Sequence, residues 1–237
     1  RLFKKKGVDY IFDHHDICPE LYEAKFGKTT GMFYKSQLWL ERQNYKQCKF
    51  AFVTNESYKK IAIERGGMKA EDVFVLRSGP KLERLKIQEP KSEIKRGKKF
   101  MVGYLGVIGQ QEGIEYLLKA AKYVKELPER NDVFWGIVGG GPDLERMKKL
   151  CHEMGLDDIV EFTGRVPDQK LLDYLNTADV CVNCDEYNAM NDKSTMNKVL
   201  EYMALGKPLV QFDLTEGRYS AQNASLYAEH NDANDMA

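Results

Sequence analysis

The chain carries no surplus of charge of either sign. Its 36 lysine and arginine residues are matched by 36 aspartate and glutamate residues, so the formal net charge over 237 residues is zero. Nothing in that balance suggests a nucleic-acid partner. Long apolar runs are missing as well. None approaches the ~20 residues that a membrane-spanning helix needs, and Arg1-Leu-Phe-Lys-Lys-Lys6 leads into no apolar stretch of the kind a signal peptide requires. Cysteine is sparse: five scattered residues suit a reducing compartment better than a disulfide scaffold. Cys181-Val-Asn-Cys184 has metal-like spacing, but there is no second pair and Cys181 lies in an apolar run, so both read as core.

What is present points to an α/β protein. Hydrophobic residues, 43% of the chain, suffice for a core, and 30% charged residues give a well-solvated surface. The length exceeds that of a usual single domain, so one large or two smaller domains are expected. Apolar runs over 9–12, 50–54, 73–76, 100–105, 133–138, 159–162, 180–182 and 209–212 read as strands. Several are continuous rather than alternating, as parallel strands covered on both faces should be. Between them lie helical patterns over 31–46, 57–64, 114–127, 144–154 and 169–176. The charged segment 86–99, with Pro90 inside it, is the best linker. A two-lobed sheet protein with a central cleft follows, its ligands at the carboxyl ends of strands.

The most informative stretch is Asn191-Asp-Lys-Ser-Thr-Met-Asn-Lys-Val-Leu-Glu-Tyr-Met-Ala-Leu-Gly-Lys-Pro-Leu-Val210. Met196, Val199, Leu200 and Met203 recur at helical spacing, Ser194 or Thr195 is the expected N-cap, and Gly206 the stop. A loop ending in Lys-Ser-Thr at a helix start offers backbone N–H groups, two hydroxyls and a cation to one point, an arrangement suited to phosphate. Glu201, further along that helix, is placed to accept hydrogen bonds from sugar hydroxyls such as those of a ribose.

Glu201-Tyr-Met-Ala-Leu-Gly-Lys-Pro-Leu-Val210 resembles the Glu-Ala-Met-Ala-x-Gly-x-Pro-Val-Val signature of family-four retaining glycosyltransferases, which have the two-domain GT-B fold. Tyr104-Leu-Gly-Val-Ile-Gly109 with Gly113-Ile-Glu-Tyr-Leu-Leu-Lys-Ala120, Ile137-Val-Gly-Gly-Gly-Pro142, and Val160-Glu-Phe-Thr-Gly-Arg-Val-Pro167 resemble further family stretches in the expected order. The resemblance implies two Rossmann-like domains facing a cleft. Residues 1–88 would be the C-terminal part of the acceptor-side domain, 89–98 a linker, and 99–237 the donor-binding domain, in a chain lacking the family's first strand–helix units and its closing helices. It implies transfer from a nucleotide-diphosphate sugar to an acceptor hydroxyl with retention. No metal or other cofactor is needed, because protein groups stabilise the leaving diphosphate. By family analogy the acceptor is a growing polysaccharide or a lipid-linked sugar, and the location is the cytoplasm, at the inner face of a membrane if Lys4–Lys6 and Lys95–Lys99 favour an anionic surface.

Residue by residue, the resemblance gives Gly106 and Gly109 to the diphosphate, Arg165 and the Val166 backbone to the base, and Glu201 to the ribose. The sequence departs from the family pattern at Val107 and Glu112, where a cation is usual, and at Lys193, where a glutamate is usual. The phosphate charge is then expected to be met by Lys193, Ser194, Thr195 and Lys198. In the amino-terminal portion, Phe12-Asp-His-His-Asp-Ile-Cys-Pro19 sets four ionisable groups at a strand end. Three readings are open there: His15 with Asp16 at the transfer centre, a structural cluster, or a metal site using His14, His15 and Asp13 or Asp16. Thr54-Asn-Glu-Ser57 is expected to close a strand and cap a helix through Asn55 or Ser57. Two other functions stay in view, a nucleotide-sugar-binding protein without catalysis and a GT-B sugar-nucleotide epimerase. A dehydrogenase is disfavoured, since no Gly-x-Gly-x-x-Gly opens a unit with an acidic residue ~20 positions on.

Overall fold

The computed structural model describes residues 7–128, 130 and 132–237, so Lys4–Lys6 lie outside the described residues. The chain divides into two compact units, one of residues 1–78 with 188–195 and one of residues 79–187 with 196–237. The division falls at Ser78–Gly79, ahead of the expected linker. Residues of that segment pack on the second unit instead, where the Gln88 N–H donates to Asn176 Oδ1 and the Lys91 N–H to Thr177 Oγ1.

In the first unit β1 (Ile11–His14), β2 (Phe50–Val53) and β3 (Val73–Val75) form a parallel sheet in that order. Helices α1 (Cys18–Phe26), α2 (Met32–Gln47) and α3 (Glu56–Glu64) connect them. β1 starts two residues later than the apolar run suggests, because its ladder begins only where Ile11 meets Phe50. That shift brings His14 into the strand. Pro19 in the first turn of α1 gives up an N–H that has no helical partner there, and Gly27 ends the helix in the left-handed region at φ 60°. Asn55 caps α3, its Oδ1 accepting from the Tyr58 N–H at 2.8 Å. Ile17, Tyr45, Ala51, Val53, Tyr58, Ile61 and Val73 make the core.

Against that core sits a charge cluster. Arg65 Nε and Nη2 donate to the two oxygens of Glu41 at 2.7 Å each, while Nη1 and Nη2 donate to Glu20 at 2.7 and 3.1 Å. Both carboxylates are buried. One guanidinium fork thus supplies the hydrogen bonds that make two buried charges tolerable.

The second unit is a six-stranded parallel sheet in the order β6-β5-β4-β7-β8-β9. Its strands are β4 (Phe100–Leu105), β5 (Val133–Val138), β6 (Val160–Gly164), β7 (Val180–Asn183), β8 (Leu209–Phe212) and β9 (Ser225–Ala228). β9 is an edge strand that the apolar pattern does not announce, because its Leu226 and Tyr227 are not buried. One face is covered by α4 (Ile114–Glu126), α5 (Leu144–Glu153) and α9 (Ala233–Met236), the other by α6 (Asp168–Thr177), α7 (Asn197–Ala204) and α8 (Thr215–Ala221). Burial on both faces explains why these strands read as continuous apolar runs.

Arg65→Ala removes the only cation that contacts Glu20 and Glu41 among the described residues. Urea unfolding of this variant should show a loss of about 3–5 kcal/mol. Stranded carboxyls have folded pKa values raised above their unfolded ones, so the deficit should be largest at neutral pH and shrink as pH falls toward the ordinary carboxylate range.

Candidate functional site

Strand order in the second unit reverses between β4 and β7: β5 and β6 lie to one side, β8 and β9 to the other. The loops leaving β4 and β7 therefore diverge, and ligands in such sheets bind in the crevice this opens at the carboxyl ends. Loop 106–113 is locked there by backbone contacts. Gly113 has φ 64°, and a Cβ on it would lie 1.9 Å from the Cys184 carbonyl oxygen; a Cβ on Gly139, at φ 140°, would lie 1.8 Å from that of Gly106. Only glycine permits both the backbone angle and the approach.

At this reversal sits Lys198, in the first turn of α7. Its Nζ donates to Asp185 Oδ1 at 2.7 Å, lies 3.4 Å from the Tyr104 hydroxyl oxygen and stands 5.0 Å from the Tyr104 ring centre. Burial, the largest single influence, depresses the lysine pKa, but the Asp185 carboxylate together with the nearby Tyr202 and Cys184 opposes it and the net displacement is upward. Asp185 is 2% exposed, and its Oδ2 has no hydrogen-bond partner among the described residues. Glu112 Oε2 is likewise unpartnered, and burial raises the Glu112 pKa against the opposing charge of Lys198. A Cβ on Gly106 would lie 2.6 Å from the Tyr104 hydroxyl and 3.3 Å from Lys198 Cε, and one on Gly109 would lie 2.7 Å from Glu112 Oε2. Gly106, Gly109 and Lys198 thus converge, with Tyr104, Glu112 and Asp185 as partners that the motif reading missed. The available signal for Asp185 was a carboxylate two residues beyond the apolar run of β7.

Elsewhere in this unit the turn after β6 lies against the loop after β5. Gly139 bridges to Gly164, and a Cβ on Gly140 would lie 3.5 Å from the Arg165 nitrogen. Val166 packs on the core cluster of Met101, Phe134, Val138 and Tyr174, while Arg165 is exposed. Glu201 is half-buried on α7; burial raises its pKa, with Arg84 opposing. Lys207 has a structural post, donating to the carbonyls of Asn176 at 2.6 Å and Ala178 at 2.9 Å. Cys181 and Cys184 are buried free thiols.

Lys193, Ser194 and Thr195 belong by packing to the first unit. Neither hydroxyl caps the helix: α7 starts at Asn197 with Met196 as its N-cap residue and no side-chain cap. The expected capping gives way to tertiary bonds. Ser194 Oγ donates to the Met190 carbonyl at 2.8 Å, and Thr195 Oγ1 accepts from Asn55 Nδ2 at 3.2 Å and Arg77 Nη1 at 3.5 Å. Asn55 Nδ2 also reaches the Lys193 carbonyl at 2.8 Å, so the α3 cap doubles as the anchor of this segment. Lys193 Nζ donates to the Ala189 carbonyl at 2.9 Å.

The carboxyl end of β1 separates its two histidines. His14 is 4% exposed and shares a 2.5 Å hydrogen bond between its Nδ1 and the Tyr45 hydroxyl. His15 is exposed, with Nε2 2.9 Å from Asp13. A cavity of about 420 Å³ opens here, lined by Asp13, His14, His15, Asp16, Leu40 and Glu41 among others. Among the described residues no three His, Cys, Asp or Glu side chains are grouped to hold a metal ion. Alternation along β1 is the reason, since it sends His14 inward while His15 and Asp13 pair outside.

Burial lowers the His14 pKa to about 4. A histidine kept neutral in the folded state binds fewer protons than the unfolded chain between pH 6.5 and 4. Stability should therefore be complete above pH 6.5 and fall by about 3 kcal/mol as pH drops through that window, with His14→Gln flattening the profile. In the second unit, Asp185→Asn leaves the Lys198 ammonium without its counter-charge, and urea unfolding should register a loss of about 3–5 kcal/mol. Adding Lys198→Met should recover part of it, the coupling that a double-mutant cycle measures.

With this geometry in place, comparison with known proteins gives a consistent result. The sequence model of the family described as glycosyl transferases group 1 matches residues 86–231. An uncharacterized glycosyltransferase of Methanocaldococcus jannaschii is 24% identical over 213 residues, 88% of this chain and 51% of that protein. A GDP-mannose-dependent alpha-(1-6)-phosphatidylinositol monomannoside mannosyltransferase of Mycobacterium tuberculosis is 41% identical over 76 residues, 31% of this chain and 20% of its own length. The chain thus spans about half the length of the first of these relatives and less of the second. Among solved structures, Anabaena HepE in complex with UDP and glucose superposes with a TM-score of 0.77 at 16% identity, over 99% of this chain and 61% of that one. Sucrose-phosphate synthase from Thermosynechococcus elongatus does so at 0.74 and 18%, over 99% and 59%. The fold is the α/β fold of GT-B glycosyltransferases, and by its family match the chain belongs to the glycosyl transferases group 1 family.

Proposed function

We propose that the protein moves a sugar from a nucleoside-diphosphate sugar to an acceptor hydroxyl with retention of anomeric configuration, in the synthesis of a surface polysaccharide or glycoconjugate. The observation that carries this reading is the Lys198 ammonium at the strand-order reversal, set beside the Gly106 backbone and held there by Asp185. A fixed cation in a protein-lined crevice is what a departing diphosphate needs. It is oriented before the reaction starts, so stabilising the new charge requires little reorganisation. Two relatives lend support: HepE was solved with UDP and glucose, and the mycobacterial mannosyltransferase uses GDP-mannose.

In this reading Gly106, Gly109 and Lys198 meet the diphosphate, and Glu201 takes the ribose hydroxyls, its carboxylate half-buried near Arg84. Arg165 and the Val166 backbone receive the base. Lys193, Ser194 and Thr195 supply further donors to the phosphate oxygens. His15 and Asp16 act at the transfer centre, where the exposed His15 ring, rather than the buried His14, is free to meet a sugar. As the glycosidic bond to the diphosphate breaks, the acceptor oxygen bonds to the anomeric carbon and its proton passes to the departing phosphate oxygen. Protein groups neutralise the charge, and no metal is required. By family analogy we place the protein in the cytoplasm, at the inner face of a membrane.

Two observations favour a second reading, a nucleotide-sugar-binding protein without turnover. Loop 106–113 carries the Glu112 carboxylate, and the Lys193 ammonium is engaged with the Ala189 carbonyl.

Calorimetric titration with UDP, GDP and ADP should show one of them binding. Glu201→Ala should weaken it at least tenfold, and Lys193→Ala should weaken it far more than Lys207→Ala. Binding of none of them to the folded chain overturns the donor reading. In a sugar-transfer assay His15→Ala should lower kcat by about 100-fold or more with nucleotide affinity unchanged. Unchanged kcat would remove His15 from the transfer centre, and binding with no turnover in the wild type would favour the second reading.

A further inference from the structure

Helix α2 turns toward solvent a face that its own unit does not use. At 100° per residue, its buried residues Glu41 and Tyr45 point to one side, and Met32 and Trp39 point about 150° away from them. Met32 is 85% exposed and Trp39 60%. Lys35, Arg42 and Lys46, all exposed, border them on one flank. Phe33 and Leu40 lie on the other flank, where Leu40 lines the cavity beside β1. Met32 and Trp39 point away from the core that Tyr45 joins.

Charge narrows what covers them. From Ala24 to Lys49 the chain has six cations, Lys25, Lys28, Lys35, Arg42, Lys46 and Lys49, and one acid, Glu41. Glu41 is buried and taken by Arg65, and Lys49 pairs with Asp9. A protein of zero net charge has therefore set three exposed cations, Lys35, Arg42 and Lys46, beside an exposed tryptophan on one helix. The C-terminal end of α1 adds Phe26, 60% exposed, between Lys25 and Lys28 in sequence. Trp and Met with a basic border suit the plane of an anionic bilayer: the rings and thioether enter the headgroup–acyl boundary while the lysines stay at the charged surface.

We propose that the outer face of α2, centred on Met32 and Trp39 with Lys35, Arg42 and Lys46, is a peripheral docking surface for an anionic lipid bilayer. This inference does not depend on the donor site, and its test reads no nucleotide.

The chain has two tryptophans, and the other, Trp135, is 4% exposed in the core of the second unit. Titrating the 237-residue protein with phosphatidylglycerol–phosphatidylcholine vesicles at low salt should shift Trp39 emission to the blue, and the protein should float with the vesicles. Pure phosphatidylcholine should bind much more weakly, and raised salt should release the protein. Trp39→Ser should lower the partition coefficient at least tenfold, and Lys35→Ala and Arg42→Ala about fivefold each. All three positions are exposed, and far-ultraviolet circular dichroism checks that each variant stays folded. Three results would overturn the proposal. They are no flotation on anionic vesicles, flotation that Trp39→Ser leaves unchanged, and a concentration-dependent dimer that buries Trp39 in the absence of lipid.

Discussion

The reversal of strand order between β4 and β7 is the constraint on which the second unit depends. Parallel strands joined by right-handed crossovers put successive helices on one face for as long as the chain moves in one direction. When it turns back at β7, α6, α7 and α8 fall on the opposite face, and the loops after β4 and β7 part. The parting brings the start of α7, the glycine loop after β4 and the end of β7 to one place. Gly113 and Gly139 then set how closely these backbones approach, because a single Cβ at either position would occupy a carbonyl oxygen's space. Lys198 reaches the Gly106 backbone because Gly106 leaves its space open.

Each unit also buries charge, and in each the burial is matched by geometry. Asp185 holds Lys198 in the second, while Arg65 spans Glu20 and Glu41 in the first. Such pairs add little net stability over apolar packing, but breaking one strands its partner. They fix a side chain in one orientation more than they strengthen the fold. For Lys198 the proposed role depends on that orientation, since a cation already in place needs no rearrangement when negative charge develops beside it. The Arg65 cluster lies next to the neutral His14, whose Nε2 is 3.9 Å from Glu41.

Much of this was legible from residue order. β4, β5 and β8 fall where the apolar runs place them, because strands covered on both faces need uninterrupted hydrophobic sequence. A cap at Asn55 or Ser57 was readable, since a short polar side chain before a helical pattern satisfies the free N–H groups of the first turn, and the structure assigns it to Asn55. β9 was not, because an edge strand buries little and so carries little apolar signal. The start of β1 was misplaced by two residues because its partner strand, not its composition, decides where the ladder begins.

The sequence by itself determined the α/β class, the family and the loops that carry the candidate site, because each of these rests on local pattern: apolar periodicity, glycine spacing and the run from Glu201 to Val210. The tertiary structure decided the partners. Lys198 meets Asp185 across 13 positions and Tyr104 across 94, Ser194 and Thr195 give up helix capping for bonds within the first unit, and one histidine of an adjacent pair is buried while the other is exposed. These outcomes turn on which strands pair and where the order reverses. Those are contacts between residues far apart in the chain, and no local pattern encodes them.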